Sequence, residues 1–183
     1  MGRVEGIETP RLFLRPPRRS DFKVWRRLRE PNHEHLQPWE PLWGHKANSR
    51  AEWAVRMRAW RKGRRQGRVY AYFLLEKESR DMLGGLAFSH VRRGASQTAT
   101  LGYWLDQQVT GHGYMTEAVS YACNWAGDRL GLARIEASTM PENKNSRKVL
   151  ERCGFCEEGL AQSYLQIAGE RRDHILYGLT IVS

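Results

Sequence analysis

The chain has 183 residues, 40% of them hydrophobic, which suits one domain with a sizeable core rather than two very small ones and speaks against a disordered chain. No apolar run approaches the ~20 residues that span a bilayer, and the opening MGRVEGIETPRLFLRP lacks the apolar core of a secretory signal, so a cytoplasmic protein is expected. Thirty Lys and Arg against 20 Asp and Glu give a net charge of +10, which favours an anionic partner (a phosphorylated cofactor, RNA, or both) and says nothing about fold.

No repeat, low-complexity stretch or linker divides the chain, so residues 1–183 read as a single domain. Residues 8–15 alternate around Leu12 and Leu14 and read as a first strand. Ser20 or Asp21 caps a short helix running to about Arg29, with Phe22, Trp25 and Leu28 on one face. Residues 32–41 hold two prolines and a tryptophan and read as ordered irregular structure. Ser49-Arg-Ala-Glu52 has the form of a capping box and opens a second helix, with Trp53, Met57 and Trp60 at i, i+4 and i+7.

Beyond Gly67 the period changes to two. Residues 69–76, 82–91 and 99–105 read as three strands of an antiparallel meander. A long helix is expected over 113–130, a strand over 134–140, a helix over 145–153, and final strands over 158–165 and 174–182. The fold class is therefore α+β, with a mixed, mainly antiparallel central sheet flanked by helices.

Cys123, Cys153 and Cys156 make no disulfide framework. Cys153-Gly-Phe-Cys156 has the spacing of a redox or metal pair, but no second pair accompanies it. It also follows a helix, where a thioredoxin-type motif would open one, so all three cysteines read as small hydrophobes. His33-x-His35 lacks further ligands at zinc spacing, and no metal site is expected.

Two stretches carry chemistry. Gln108-Val-Thr-Gly111-His-Gly113 stands where a strand pattern gives way to a helix pattern. A helix start leaves four N–H groups without partners under a positive dipole end, and glycine lets an anion approach them closely. The stretch is neither a P-loop nor a dinucleotide fingerprint, so it reads either as a plain turn or as a diphosphate site. The second is Pro141-Glu-Asn143-Lys-Asn-Ser146, followed by Gly154-Phe155. Asn143 and Ser146 flank a helix start, Gly154 supplies a left-handed C-cap, and Asn143 or Asn145 equally reads as a helix cap.

Together these stretches resemble the GNAT superfamily of acetyl-CoA-dependent N-acetyltransferases, whose signature the first matches as Gln108, Gly111 and Gly113. The second is similar to the Asn-x-x-Ser…Gly-Phe segment of the Rim-type branch, the ribosomal-protein alanine N-acetyltransferases. The likeness extends through Thr9-Pro-Arg-Leu-Phe-Leu-Arg15, Leu36-Gln-Pro-Trp-Glu-Pro41, Phe88-Ser-His-Val-Arg-Arg-Gly94, Leu101-Gly-Tyr103 and Gly169-Glu-Arg-Arg-Asp-His174. It implies a GNAT-type sheet, acetyl-CoA as cosubstrate and no metal. It also implies that the strand holding Tyr103, Trp104 and Leu105 runs along the pantetheine arm. The pyrophosphate would sit on amides of Val109, Gly111, His112, Gly113, Tyr114, Met115 and Thr116, with Gln108 shaping the turn. Asn143 would bond the pantetheine.

The reaction implied is attack of an amine on a thioester, which needs a neutral amine and a proton for the leaving thiolate. Ser146 occupies the place of a hydroxyl that protonates sulfur in Rim-type enzymes, and Leu150 stands where other members use a tyrosine. A first-turn hydroxyl is the plain reading of Ser146. Glu136 is read either as the acceptor of the amine proton or as an ion-pair partner of Arg134. Some relatives place a carboxylate before the tyrosine at 164, where this chain has Ser163. An α-amine of pKa ~8 is partly neutral at pH 7, so a weakly equipped site favours an N-terminal acceptor.

The resemblance implies a protein N-terminus as acceptor, with a small-subunit ribosomal protein as precedent, and a monomer or homodimer. Trp39, Trp43 and Tyr164 are candidate acceptor walls. Residues 56–68 are dense in cations and read either as a solvated helix face or, with Trp60 among them, as an RNA contact. Two other readings compete: a small-molecule acetyltransferase for an antibiotic or polyamine, and a ribosome- or RNA-binding module with little catalysis. Gln108, Gly111, Gly113, Asn143 and Ser146 together speak against the second.

Overall fold

The computed structural model describes residues 6–181. The chain opens with two short antiparallel strands, β1 (Ile7–Glu8) and β2 (Leu12–Arg15), where the alternation had implied one. Pro10 has no N–H to continue a strand, and Thr9 closes the turn, its Oγ1 accepting from Leu12 N at 2.8 Å. Helix α1 (Phe22–Arg29) buries Phe22 and Trp25. The stretch expected to be irregular coils into α2 (His33–Leu36) and a 3-10 turn (Gln37–Trp39), with Pro38 tolerated because a helix start leaves N–H groups unpaired anyway. Helix α3 (Arg50–Arg65) begins at Ser49, whose Oγ accepts from Glu52 N, but the reciprocal half of the capping box is not formed, because Ser49 N donates to the Lys46 carbonyl.

The meander is β3 (Tyr70–Glu76), β4 (Met82–Arg92) and β5 (Thr98–Leu105), each antiparallel to the one before. Helix α4 (Tyr114–Leu130) leads to β6 (Arg134–Thr139), then α5 (Lys144–Arg152). The chain closes on a hairpin of β7 (Cys156–Ile167) and β8 (Glu170–Thr180). Strand β7 extends past both bounds the sequence implied, because two register shifts interrupt its alternation, and β8 begins four residues earlier than expected and ends at Thr180. Val182, the expected end of the last strand, lies outside the described residues.

The eight strands form one sheet in the order β1-β2-β3-β4-β5-β6-β8-β7, and only β5 and β6 run parallel. Two layers of helices cover it. Helices α4 and α5 pack on one face, where Ala118, Ala122 and Ala126 recur every fourth residue and let α4 lie close to Ile135 and Ala137. Leu150 of α5 is 0% exposed in the same core, a burial that contributes about 1.5–3 kcal/mol. On the opposite face α1 and α3 bury Phe22, Trp25, Trp53 and Met57 against Phe73 and Met82. No helix among the described residues is long and apolar enough to cross a membrane.

Candidate active site

The parallel pair gives the site its shape. Strands β5 and β6 pair only at Thr98–Arg134, Ala99–Ile135 and Thr100–Glu136. Beyond that point β5 stays with β4 through Leu105, while β6 stays with β8 through Thr139. The two strands part, and backbone groups of residues 101, 103 and 105, with alternate residues of 137–139, face a wedge with no strand to complete them. Unpaired main-chain donors and acceptors of this kind bond an extended ligand as a neighbouring strand would.

Tyr103 and Ser146 meet at this wedge. Tyr103 lies on the α4–α5 face of β5, and its Oη is 2.9 Å from Ser146 Oγ and 3.1 Å from the Ser146 carbonyl oxygen. Tyr103 Oη can donate to the carbonyl or to Ser146 Oγ; in the second arrangement the serine proton is free to point away from the phenol. Burial pushes the Tyr103 phenol well above its usual range, and it stays protonated at every physiological pH. Asn143 caps α5: its Oδ1 accepts from Ser146 N at 3.0 Å, fixing the turn that carries the hydroxyl. The amide N–H₂ of Asn143 bonds nothing else among the described residues.

Helix α4 begins differently. Ser49 caps α3 and Asn143 caps α5, but Gly113, the N-cap of α4, brings no side chain at all. Gly111 and Gly113 have φ of 83° and 77°, a left-handed backbone that other residues adopt only under strain. The turn therefore exposes the first amides of a 17-residue helix without a protein group to satisfy them. Of the expected contacts here, Gly111 and His112 are exposed, and Gly113, Tyr114, Thr116 and Val109 half-buried. Met115 is buried, so only its amide is available. Gln108 is exposed in the preceding 3-10 turn, its N–H bonded to Asp106 Oδ1 at 3.2 Å.

Several residues that hold this turn gave no sequence signal. Asn32, 5% exposed, donates from Nδ2 to Asp106 Oδ1 and to the Leu28 carbonyl, and accepts from Gln107 N, all at 2.8 Å. It ties the start of the turn to α1. From the other side Arg11 donates to the His112 carbonyl at 2.9 Å and lies over the Tyr114 ring at 4.4 Å. Arg11 is held in turn by Glu117, which accepts from its Nε at 2.6 Å and its N at 2.8 Å. Burial pushes the Glu117 carboxyl up, but bonds from Thr9 and Arg11 outweigh it, and the group sits below its ordinary range. The Asn32 partners across the turn are 74 and 75 residues away and those of Thr9 and Arg11 101 or more, too far for any local pattern to reveal.

Other expected residues take different roles. Glu136 is paired with Arg92 at 2.5 Å and Arg134 at 3.4 Å, so the ion-pair alternative is the arrangement found and its oxygens are committed. It sits at the closed end of the wedge, on the opposite face from Tyr103 and three residues earlier in register, a separation of about 10 Å along the strand. Trp104 also points its side chain to the α1–α3 face, under Arg29, and its backbone, in step with Asp106 N that bonds the Leu83 carbonyl, faces β4, so it offers the wedge nothing. Leu105 packs on the α4 core. Cys123 is buried and Cys153 half-buried, and burial pushes their thiols up, to about 12 and about 11; Cys156 is exposed.

A cleft of about 520 Å³ opens beyond the end of β6, between Trp39, Glu34, Met140, Glu142 and the tip of the β7–β8 hairpin at Ala168. Ala168 N bonds the Glu40 carbonyl at 2.9 Å, which joins the hairpin to the 37–41 segment. Of the expected wall aromatics only Trp39 lines this cleft. Trp43 packs against Arg29 and His33, and Tyr164 packs beside His174.

Comparison with known proteins agrees with this geometry. A family model described as an acetyltransferase (GNAT) domain matches residues 11–156. Over 149 residues the chain is 35% identical to the [ribosomal protein uS5]-alanine N-acetyltransferase of Escherichia coli (strain K12), covering 81% of this chain and 77% of that protein. The crystal structure of a ribosomal-protein-S5-alanine acetyltransferase from Vibrio fischeri superimposes with a TM-score of 0.88 at 29% identity, covering 96% of both chains. Mycobacterium smegmatis RimJ, solved in complex with CoA-disulfide, gives a TM-score of 0.88 at 34% identity over 96% of this chain and 85% of that one.

Proposed function

This chain belongs to the GNAT acetyltransferase family, and we propose that it transfers the acetyl group of acetyl-CoA to the N-terminal α-amine of a protein, a ribosomal protein being the acceptor class named for its relatives. The observation that carries the reading is the parting of β5 from β6 between a helix start without a side-chain cap and the Tyr103–Ser146 pair. These features line one path from an anion-binding end to a proton donor.

The residues present fit the cosubstrate. The amides of residues 111–116 suit a pyrophosphate, since the glycine turn leaves them bare and the helix dipole favours negative charge there, whereas Val109 N is already bonded to the Asp106 carbonyl at 3.2 Å. The wedge edge at Tyr103 and Leu105 and the free amide of Asn143 suit the amide groups of a pantetheine arm. Bound there, acetyl-CoA supplies an activated acyl thioester. In the transfer one N–C bond forms and one C–S bond breaks, the amine gives up a proton, and the sulfur gains one. Ser146 donates that proton to sulfur, Tyr103 holds the serine oxygen in place, and the proton shed by the amine passes through solvent to restore the serine hydroxyl. With Glu136 committed to two arginines, no side chain is assigned as base; an α-amine of pKa ~8 supplies its own neutral fraction near pH 7. The cleft at Trp39 receives the acceptor, with Glu34 of suitable sign for an ammonium group, while Glu142 is paired with Arg172 of the same lining at 3.7 Å.

Thiol release from acetyl-CoA, measured with an alanine-start peptide, with spermidine and with no acceptor, tests the reading. The expected result is turnover with the peptide and mass-spectrometric placement of the acetyl group on its α-nitrogen. Faster turnover with spermidine would transfer the assignment to a small-molecule enzyme, and no turnover with either would leave a binding module.

A further inference from the structure

The excess charge of the molecule is confined to one part of it. Residues 15–68 hold 16 Lys and Arg against 5 Asp and Glu, a net +11, while the rest of the chain holds 14 against 15, a net −1. Three of those five acids are already matched: Asp21 to Arg15, Glu30 to Arg26 and Glu40 to Arg29. On α3 the exposed residues Arg58, Arg61, Lys62 and Arg65 are spaced i, i+3, i+4, i+7 and form one stripe facing away from Trp53 and Met57. Among the described residues, no ion pair involves α3.

Folding does not call for this stripe. Like charges three and four residues apart weaken a helix, and only Lys62 and Arg65 of the four sit in the last turn, where the dipole favours cations. Arg50, the first residue of α3, also lines a groove of about 910 Å³ beside α1, where Lys23, Arg26 and Arg27 face one acid, Glu30.

We propose that the α1–α3 layer is a docking surface for the phosphate backbone of duplex RNA. The charge calls for a polyanion, and the aromatics decide which kind. Single-strand binders stack bases on exposed rings. Here Trp25 and Trp53 are buried, and Trp60 is half-buried edge-on to Trp53 and Phe73. Neither helix offers an exposed ring, and a cationic surface without stacking reads the backbone and shape of an A-form helix. At 16 residues α3 is about 24 Å long and spans several phosphates. The surface is separate from the acetyl-handling groups, since Tyr103 and α4 pack on the other side of the sheet. His33 lines both the basic groove and the cleft at Trp39, so RNA held here brings an attached protein end to that cleft.

Fluorescence anisotropy with a labelled 20-base-pair RNA duplex, between 50 and 200 mM KCl, tests this on the full chain. Four neutralised phosphates give a log–log salt slope of roughly −3.6, a loss of about a hundredfold over that range. Replacing Arg58, Arg61 and Arg65 by Gln should weaken binding at 50 mM KCl at least tenfold and flatten the slope by about 2–3. The same three positions changed to Lys should keep both, which separates lost charge from lost fold. Acetylation of a short alanine-start peptide by the Gln variant should stay within twofold, so this inference and the acetyl-transfer reading fail separately. Binding indifferent to salt, or a Gln variant equal to the parent, would overturn the proposal. So would tighter binding of oligo-uridine, which would indicate single strands, or of polyglutamate, which would indicate an acidic protein.

Discussion

The two faces of the sheet handle negative charge by different means. On the α4–α5 face a glycine turn offers bare amides at a helix start, and Ser146 and Tyr103 stand as a hydrogen-bonded pair of neutral hydroxyls. On the α1–α3 face the groups are long cationic side chains in a stripe without carboxylate partners. The difference teaches that net charge and phosphate binding need not coincide. The +10 of the chain is compatible with a phosphorylated ligand, yet the candidate phosphate site is built from main chain while the cations lie across the sheet. Main-chain donors fix a geometry, and flexible guanidinium groups set a potential.

The division breaks down if chemistry does not depend on the first face. Changing Ser146 to Ala is expected to lower kcat by about a hundredfold while acetyl-CoA affinity holds, because Asn143 caps the backbone N–H and not the hydroxyl. Steady-state kinetics beside calorimetric titration separates the two quantities, and unchanged kcat would remove Ser146 from the transfer. A smaller effect is expected for Gly111→Val. At φ 83° a branched side chain costs about 1–3 kcal/mol, so acetyl-CoA should bind about tenfold more weakly, and titration showing parental affinity would detach the turn from the cosubstrate.

The smallest effect concerns acid. Glu117 titrates below its ordinary value in the folded chain, so it contributes stability above its unfolded pKa of ~4.3, and that contribution is lost as pH falls through the folded value. Urea titrations should therefore show this part unchanged between pH 7 and 5 and declining below about pH 4. Glu117→Gln should flatten the decline. Equal pH dependence in both proteins would mean that the Arg11–Glu117 link does not brace the turn.

How much of this was legible in the sequence follows from how local each feature is. Helices α1, α3, α4 and α5 showed themselves through apolar periodicity and caps such as Ser49, and the meander through alternation. The turn at Pro10 was hidden inside an alternating run, and α2 behind polar histidines and Pro38. The bulged strand β7 is largely exposed, so its pattern carried little contrast. Gly111, Gly113, Asn143 and Ser146 stood in short motifs and could be read. The Tyr103–Ser146 bond spans 43 residues and the Asn32–Asp106 bond 74, and no window of sequence contains either pair. Glu136 was visible as a carboxylate, but Arg92, which binds it, belongs to another strand.

The strap between Ala168 and Glu40 bears on how such a catalyst diversifies. It holds together two surface segments that frame the entrance, and neither supplies a hydroxyl or an amide to the chemistry behind it. Drift at the hairpin tip or at Trp39 could thus retailor the clientele one residue at a time, leaving the transfer apparatus as inherited.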